Sequence, residues 1–326
     1  MPRIIAVTSG KGRAGKSNLA LNLGIALGMM NNRVQILDTD VGPAKIDALL
    51  GINPRWALED VVHGKADVED LIIRTEYKVE LIPARSGMQE ITDITKPQVD
   101  KLIKAISESS RHTDFLLVDT DSGISTAVIS LLMAVPEVIV GVSPEANSLT
   151  EAYALIKVLK KNGFEGRLSM FASMVKDSAS GRMIYRKISS AVQRFLDTHV
   201  GYVGCVCVDE KLIKAVAEHE PVIVRFPTAD VSRCYRVIAT TILSQQSAAM
   251  DCEKFWTRLL RLIIKTPKPE AMRSASYNGE NKASSLETTI QHILDEQRRT
   301  RLLLERLLHK IDQGPLDSEF SDGPII

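Results

Sequence analysis

The sequence predicts a doubly wound α/β fold: a mostly parallel sheet with helices on both faces, followed by a C-terminal helical tail. Short apolar runs alternate with longer helical patterns from the N-terminus to about Gln246. Several of these runs are rich in Val, Ile and Leu and lack polar alternation, as strands buried on both faces do. Strict alternation of strand and helix favours parallel pairing through right-handed crossovers. In chain order the predicted strands are 4–8, 34–38, 79–83, 115–119, 138–143, 169–175 and 203–208, with helical patterns at 17–30, 98–109, 149–162 and 181–196. Ligands of such sheets bind at the carboxyl ends of strands, which directs attention to the loops after Thr8, Asp38 and Asp119.

Composition narrows the function class. The 326 residues correspond to about two average domains, although one large α/β fold uses most of such a length. Charged residues make up 25% and hydrophobic ones 44%, which is ordinary globular usage and excludes a wholly disordered chain. With 41 basic and 40 acidic residues the net charge is +1, so no global field draws the chain to nucleic acid, and no sequence-specific nucleic-acid partner is expected. Apolar runs such as 115–118 and 138–142 are far shorter than a membrane span requires. The opening residues do not resemble a signal peptide, and four cysteines (Cys205, Cys207, Cys234, Cys252) do not make a disulfide framework in a chain this long. The expectation is a cytoplasmic protein. Cys205 and Cys207 lie in an apolar stretch with no histidine or second pair at metal-ligand spacing, and read as reduced, buried and structural.

Residues 1–250 read as the nucleotide-binding domain, 251–265 as an amphipathic helix, 266–285 as a Pro-, Gly- and Ser-containing flexible linker, 286–312 as a second helix and 313–326 as a disordered tail.

The sharpest signal is Gly10-Lys11-Gly12-Arg13-Ala14-Gly15-Lys16-Ser17, a complete G-x-x-x-x-G-K-[ST] motif placed between a strand and a helix. Successive backbone N–H groups of such a loop converge on one cavity, and the helix that follows adds its positive end, so the loop cradles phosphate. Lys16 is expected to reach the outer phosphates and Ser17 to ligate Mg²⁺; Asn18 follows in the same turn. The plain alternative is a glycine-rich turn without a ligand. Two acidic loops argue against it. Asp38-Thr39-Asp40 ends the second predicted strand and Asp119-Thr120-Asp121-Ser122-Gly123 the fourth. Asp38 and Asp119 suit water-mediated Mg²⁺ binding, Asp40 suits orienting the attacking water, and Gly123 suits offering its N–H to the γ-phosphate.

These residues resemble the deviant Walker A ATPases of the MinD/ParA type, whose signature is an additional lysine early in the loop; Lys11 occupies that place. The chain is similar in particular to the FlhG/FleN-like branch, through the segments 47–51 (DALLG), 83–89 (PARSGMQ) and 152–159 (AYALIKVL). The resemblance spans about residues 1–265. It implies ATP and Mg²⁺ as ligands, a homodimer closed by ATP, slow ATP hydrolysis and Lys11 acting across the dimer. It also implies that Ser173 and Asp209 lie at the adenine base. Departures from the family pattern are Arg13 for a glycine, Lys45 for an asparagine, the added carboxylate of Asp121, Ser173 for an asparagine and Cys207 for a proline.

In 251–265, Phe255, Leu259, Leu262 and Ile263 fall on one helical face, widened by Trp256, Leu260 and Ile264, while Lys254, Arg258, Arg261 and Lys265 fall opposite. This pattern predicts an in-plane membrane helix on the inner face of the cytoplasmic membrane; the plain alternative is a last helix packed on the sheet domain. Residues 286–311 carry apolar residues at alternating four- and three-residue steps, interrupted by Gln297 and Thr300, and suit a short coiled coil or a docking helix for an FlhF-like GTPase or another polar-machine protein. The functional expectation is a membrane-cycling ATPase that controls placement or number of a polar machine such as the flagellum. Its alternatives are a nucleotide-binding scaffold with weak hydrolysis and a ParA-like nucleoid-binding partition ATPase.

Overall fold

In chain order the elements are β1 (Arg3–Ser9), α1 (Lys16–Met29), β2 (Val34–Asp38), α2 (Ile46–Leu49), α3 (Leu58–Val62), α4 (Val68–Leu71), β3 (Ile73–Arg74), β4 (Val79–Pro83), α5 (Lys96–Ser109), β5 (Phe115–Asp119), α6 (Thr126–Ala134), β6 (Glu137–Val142), α7 (Ala146–Lys161), β7 (Arg167–Val175), α8 (Ser178–Leu196), β8 (Gly201–Cys207), α9 (Glu210–Ala217), α10 (Val222–Arg225), α11 (Asp230–Ser244) and α12 (Cys252–Ile264). The structure, a computed structural model, describes residues 1–10, 14–40, 46–62, 64–84, 96–246 and 250–264. The linker 266–285, the helix 286–312 and the tail 313–326 expected from the sequence lie outside the described residues.

The strands form one eight-stranded sheet in the order β3-β4-β2-β5-β1-β6-β7-β8. All described pairings are parallel except the short β3, which runs antiparallel to β4. Every residue of β1, β2, β5 and β6 is buried, which is why their sequences read as continuous apolar runs. β1 lies between β5 and β6, so successive crossovers leave it in opposite directions. That reversal opens a crevice at the carboxyl end of β1, where the glycine-rich loop begins.

Helix α1 shows how packing overrides amphipathic pattern. It is apolar almost all round, and residues from Lys16 to Gly28 are buried with the exception of Asn18. One side packs on β1, β2 and β5, and the other is covered by α10 and α11. Its Asn22 satisfies a neighbour: Oδ1 accepts from the buried Ile223 N–H at 3.1 Å, while Nδ2 donates to Asn18 O at 2.9 Å. Side-chain caps start other helices, with Ser125 accepting from Val128 N at the head of α6 and Asp177 from Ser180 N at the head of α8.

Strand predictions agree closely with the sheet, and 34–38, 79–83 and 115–119 coincide with β2, β4 and β5. Strand β3, helix α6 and helices α9 to α11 were not among the expected elements. β3 has two residues, and α6 is too uniformly apolar to show a helical period.

The amphipathic reading of α12 needs correction. Phe255 and Trp256, expected to face lipid, are 0% and 1% exposed. Their rings meet edge to face at 5.1 Å, and the helix packs on α5 and α6 within the same compact unit, Met1–Pro267. The basic face is where the pattern put it, because Lys254 and Arg258 are exposed. Side chains from Leu259 onward, including Leu260, Arg261, Leu262, Ile263 and Lys265, lie outside the described residues.

A buried ion pair ties the amino edge of the sheet. Arg3 donates through Nε and Nη2 to both carboxylate oxygens of Glu137, at 2.8 and 2.7 Å, and through Nη1 to the carbonyl of Ile242 at the end of α11. β1, β6 and α11 are thereby held at one point, with both side chains almost wholly excluded from water. Arg3→Ala leaves the Glu137 charge buried and unpaired, and should cost about 3–5 kcal/mol of unfolding free energy in a urea titration. A double variant, Arg3→Met with Glu137→Leu, should recover most of that loss.

Candidate active site

The site assembles from three strand ends. β1 runs straight into Gly10, where even a Cβ has no room: it would lie 2.4 Å from the carbonyl carbon of Glu151 in α7. Lys11, Gly12 and Arg13 lie outside the described residues. Ala14 is buried, and Gly15 then takes φ +72°, a left-handed conformation that glycine adopts without steric cost, and so aims the chain into α1. Leu19 N closes the first helical bond to Gly15 O at 2.8 Å, and no acidic side chain occupies the first turn of α1. The positive end of this helix therefore faces the crevice uncompensated.

Lys16 and Ser17 are both buried at the start of α1. Lys16 Nζ stands 3.6 Å from Asp40 Oδ2, with both side chains under 10% exposed. Asp38 and Asp119 sit opposite one another at the carboxyl ends of β2 and β5. Asp38 accepts from Asp40 N at 3.2 Å and Ile46 N at 3.0 Å. Asp119 is fully buried, and neither carboxylate oxygen has a hydrogen-bond partner among the described residues. Thr39 fixes the spacing of the two strand ends, donating both its N–H and its hydroxyl to Asp119 O, at 2.9 and 2.7 Å. Thr120 does the same toward β1, through its N–H and hydroxyl to Val7 O. Neither threonine was singled out in the sequence, where nothing in a D-T-D triplet reveals a main-chain partner on another strand.

Among the described residues, the buried carboxylates of Asp38, Asp40 and Asp119 gather near the Lys16 ammonium. Burial pushes the Asp38 carboxyl up to about 7, with the charges of Asp47 and Asp40 adding to the rise. Burial raises Asp119 well above the usual carboxylate range, the charge of Asp38 adds to it, and Ser17 and Lys16 oppose it. The oxygens of this cluster are hard donors, the set that Mg²⁺ takes. The residues present therefore fit Mg²⁺ beside a phosphate: Ser17 as a direct ligand, with Asp38 and Asp119 placed to hold its waters.

Other expected contacts are distributed unevenly. Gly123 abuts the loop, at φ +99°, but its N–H donates to Ser9 O at 2.9 Å and is therefore spent inside the protein. The expectation that this N–H is presented to a γ-phosphate does not hold in this structure. Asp121 accepts from Thr120 Oγ1 through its carbonyl at 2.9 Å. Ser173 lies at the end of β7, two strands along from β1, hence about 10 Å away along the carboxyl edge. Its hydroxyl is buried and unpartnered among the described residues. Asp209 caps α9, accepting from Lys211 N at 2.9 Å, and also from Val231 N at 3.4 Å. Its carboxylate is thus occupied by backbone amides, and it shapes the rim of the crevice.

The model of the ParA family, described as NUBPL iron-transfer P-loop NTPase, matches residues 1–243. The chain belongs to this family. It is a P-loop ATPase of the MinD/ParA type and a FlhG/FleN-like member of that group. The antiactivator FleN of Pseudomonas aeruginosa is 37% identical over 240 residues, covering 74% of this chain and 86% of FleN. The flagellum site-determining protein YlxH of Helicobacter pylori is 28% identical over 270 residues, covering 80% of this chain and 90% of YlxH. Among solved structures, MinD of Pyrococcus horikoshii complexed with Mg-ADP has a TM-score of 0.60 at 26% identity, covering 75% of this chain and 97% of MinD.

Crowded carboxylates imply a trade between stability and catalysis. Asp119 holds its proton more tightly folded than unfolded, so its ionisation lowers stability as pH rises above the unfolded value near 3.8. In a chelator-treated, nucleotide-free protein, Asp119→Asn should raise the unfolding free energy by about 1 kcal/mol at pH 8, with the gain shrinking toward pH 4. The same change should lower Mg²⁺-dependent ATP hydrolysis on the order of 10²-fold. Urea titrations at the two pH values and a phosphate-release assay would read both.

Proposed function

We propose that this ATPase is a nucleotide-dependent dimerising switch that cycles on the inner face of the cytoplasmic membrane and sets the number or placement of the flagellum. The observation that carries the reading is the Lys16–Asp40 pair, set among buried carboxylates at the mouth of the phosphate loop. Names borne by the similar proteins FleN and YlxH supply the flagellar part.

ATP is the substrate. Its γ-phosphate competes with Asp40 for the Lys16 ammonium, so binding exchanges the ion pair at 3.6 Å for a lysine–phosphate pair. Asp40 then turns toward the attacking water, orients it in line with the γ-phosphate and accepts its hydrogen bond. Ser17 would hold Mg²⁺ directly, and Asp38 and Asp119 through water; the ion would supply neutralisation of charge on the outer phosphates. The helix start at Gly15 to Ser17 adds fixed positive potential at the same point. Lys11 acts from the second copy, so a competent site exists only in the dimer. Ser173 offers its buried hydroxyl to the base. The helix 286–312 docks an FlhF-like GTPase or another protein of the polar machine.

Membrane contact rests on the outer face of α12. Phe255 and Trp256 anchor the helix in the protein, which leaves the exposed Lys254 and Arg258 for anionic headgroups. No described helix is long and apolar enough to cross a membrane. Two such faces in one dimer act together, which strengthens weak single contacts by roughly 10²–10⁴.

Lys11→Ala should stay monomeric with ATP and Mg²⁺ in sedimentation equilibrium, where the native protein dimerises. Replacing both Lys254 and Arg258 with Gln should weaken binding to phosphatidylglycerol vesicles on the order of 30-fold at low salt, at about 1 kcal/mol per basic residue. In cells, Lys16→Ala should change the number of flagella counted per cell; an unchanged count with normal protein levels overturns the flagellar assignment.

A further inference from the structure

Three of the four cysteines meet outside the nucleotide site. Cys205 and Cys207 lie two apart on β8, and α11 brings Cys234 against them. The three Sγ atoms all lie within 4.8 Å of one another, with Cys207 and Cys234 at 3.6 Å. All three are free thiols. Four sulfurs arranged tetrahedrally about zinc at about 2.3 Å stand about 3.8 Å apart, so this triangle has the dimensions of a ligand set before any ion arrives. Its residues are thiols alone, which select soft d¹⁰ cations over Mg²⁺ or Ca²⁺.

We propose that Cys205, Cys207 and Cys234 form a binding site for one thiophilic cation of the zinc or copper(I) class, which staples the edge strand β8 to α11. Three further features support it. Cys205 is buried while Cys207 and Cys234 are half-buried, so an ion has a route in and a fourth position open to water. Gly181 of α8 covers the inner side with bare backbone: a Cβ there would come within 2.7 Å of Tyr202 Oη and 2.8 Å of Cys205 Cβ. The Tyr202 hydroxyl, held by stacking on Tyr185, is buried without a hydrogen-bond partner among the described residues, next to a sulfur that would become anionic on binding metal. Such outer donors orient thiolate ligands and balance their charge.

The location gives the staple a consequence. Cys207 ends β8, two residues before Asp209, whose carboxylate joins the starts of α9 and α11. β8 pairs with β7 at Ser173 through Val206. A cation fixing Cys207 to Cys234 therefore stiffens the end of the crevice opposite the phosphate loop. The sequence around Cys205 and Cys207 gave no sign of this grouping, because Cys234 lies 27 residues from Cys207 and is brought there by α11.

The test uses the full chain, purified under reducing, anaerobic conditions and stripped with a chelator. Titration with Co²⁺ as the probe should give a sulfur-to-cobalt charge-transfer band at one equivalent, displaced by Zn²⁺; competition with bathocuproine disulfonate reads Cu⁺. Retention of either ion at one equivalent supports the proposal and identifies the metal. Zn²⁺ at 100-fold its dissociation constant should raise the melting temperature by about 5 °C. Cys207→Ser and Cys234→Ser should each lose the band while keeping native far-ultraviolet circular dichroism and Mg-ATP binding, and Cys252→Ser should keep it. Binding at no more than adventitious stoichiometry with four thiols titratable overturns the proposal. So does loss of the band in Cys252→Ser, or a Cys207–Cys234 disulfide that forms while the reduced protein takes up no metal.

Discussion

Everything at the working edge of this protein depends on holding like charges together without water. Asp38 and Asp119 close neighbouring strands in register, and Asp40 follows within two residues of the first. Lys16 stands against Asp40 at ion-pair distance. Isolated, such a cluster would shed charge by taking up protons, and burial with mutual repulsion raises the carboxyls of Asp38 and Asp119 in that direction. What keeps it in place is main-chain geometry. Thr39 and Thr120 bind the strand ends to one another through carbonyls, and the buried strands beneath cannot shift without losing their ladders. A divalent cation held there would offset the repulsion among these carboxylates, so cation binding and relief of repulsion would be coupled.

That cluster needs a platform that does not yield, and the sheet supplies it from both ends. At the carboxyl edge the order of strands places β1 where the crossovers reverse, so the phosphate loop and the acidic loops of β2 and β5 face one crevice. At the amino edge the Arg3–Glu137 pair ties β1 and β6 to α11. Helix α1 links these ends. Its first turn carries Lys16 and Ser17, and its body is clamped between the sheet and the α10–α11 layer. A helix buried on all sides has little freedom to carry its first residues elsewhere, so Lys16 is positioned by the core and not by the loop alone.

Two features show where local pattern and tertiary outcome separate. The segment 251–265 is amphipathic in sequence, yet Phe255 and Trp256 are buried within the domain instead of facing lipid. An apolar stripe records only that something dry will cover it; protein and bilayer satisfy the same requirement. The cysteines make the converse case. Cys205 and Cys207 have no metal-binding spacing by themselves, and the third thiol comes from a helix whose place against β8 follows from the whole fold.

Sequence alone determined the sheet and the phosphate loop. Period, run length and a complete eight-residue motif are local properties, so seven of the eight strands, α1, and the placing of Lys16, Ser17, Asp38, Asp40 and Asp119 at neighbouring element ends were legible without coordinates. Gly123 was legible as a neighbour of the loop, but the loss of its N–H to Ser9 was not, because a main-chain partner across strands leaves no trace in residue type. The threonine clasp, the docking of α12, the occupation of Asp209 by α9 and α11, and the meeting of three thiols were decided only by tertiary structure. Each depends on which surfaces come within about 4 Å of each other, and that is set by the packing of the entire domain, not by any window of neighbouring residues.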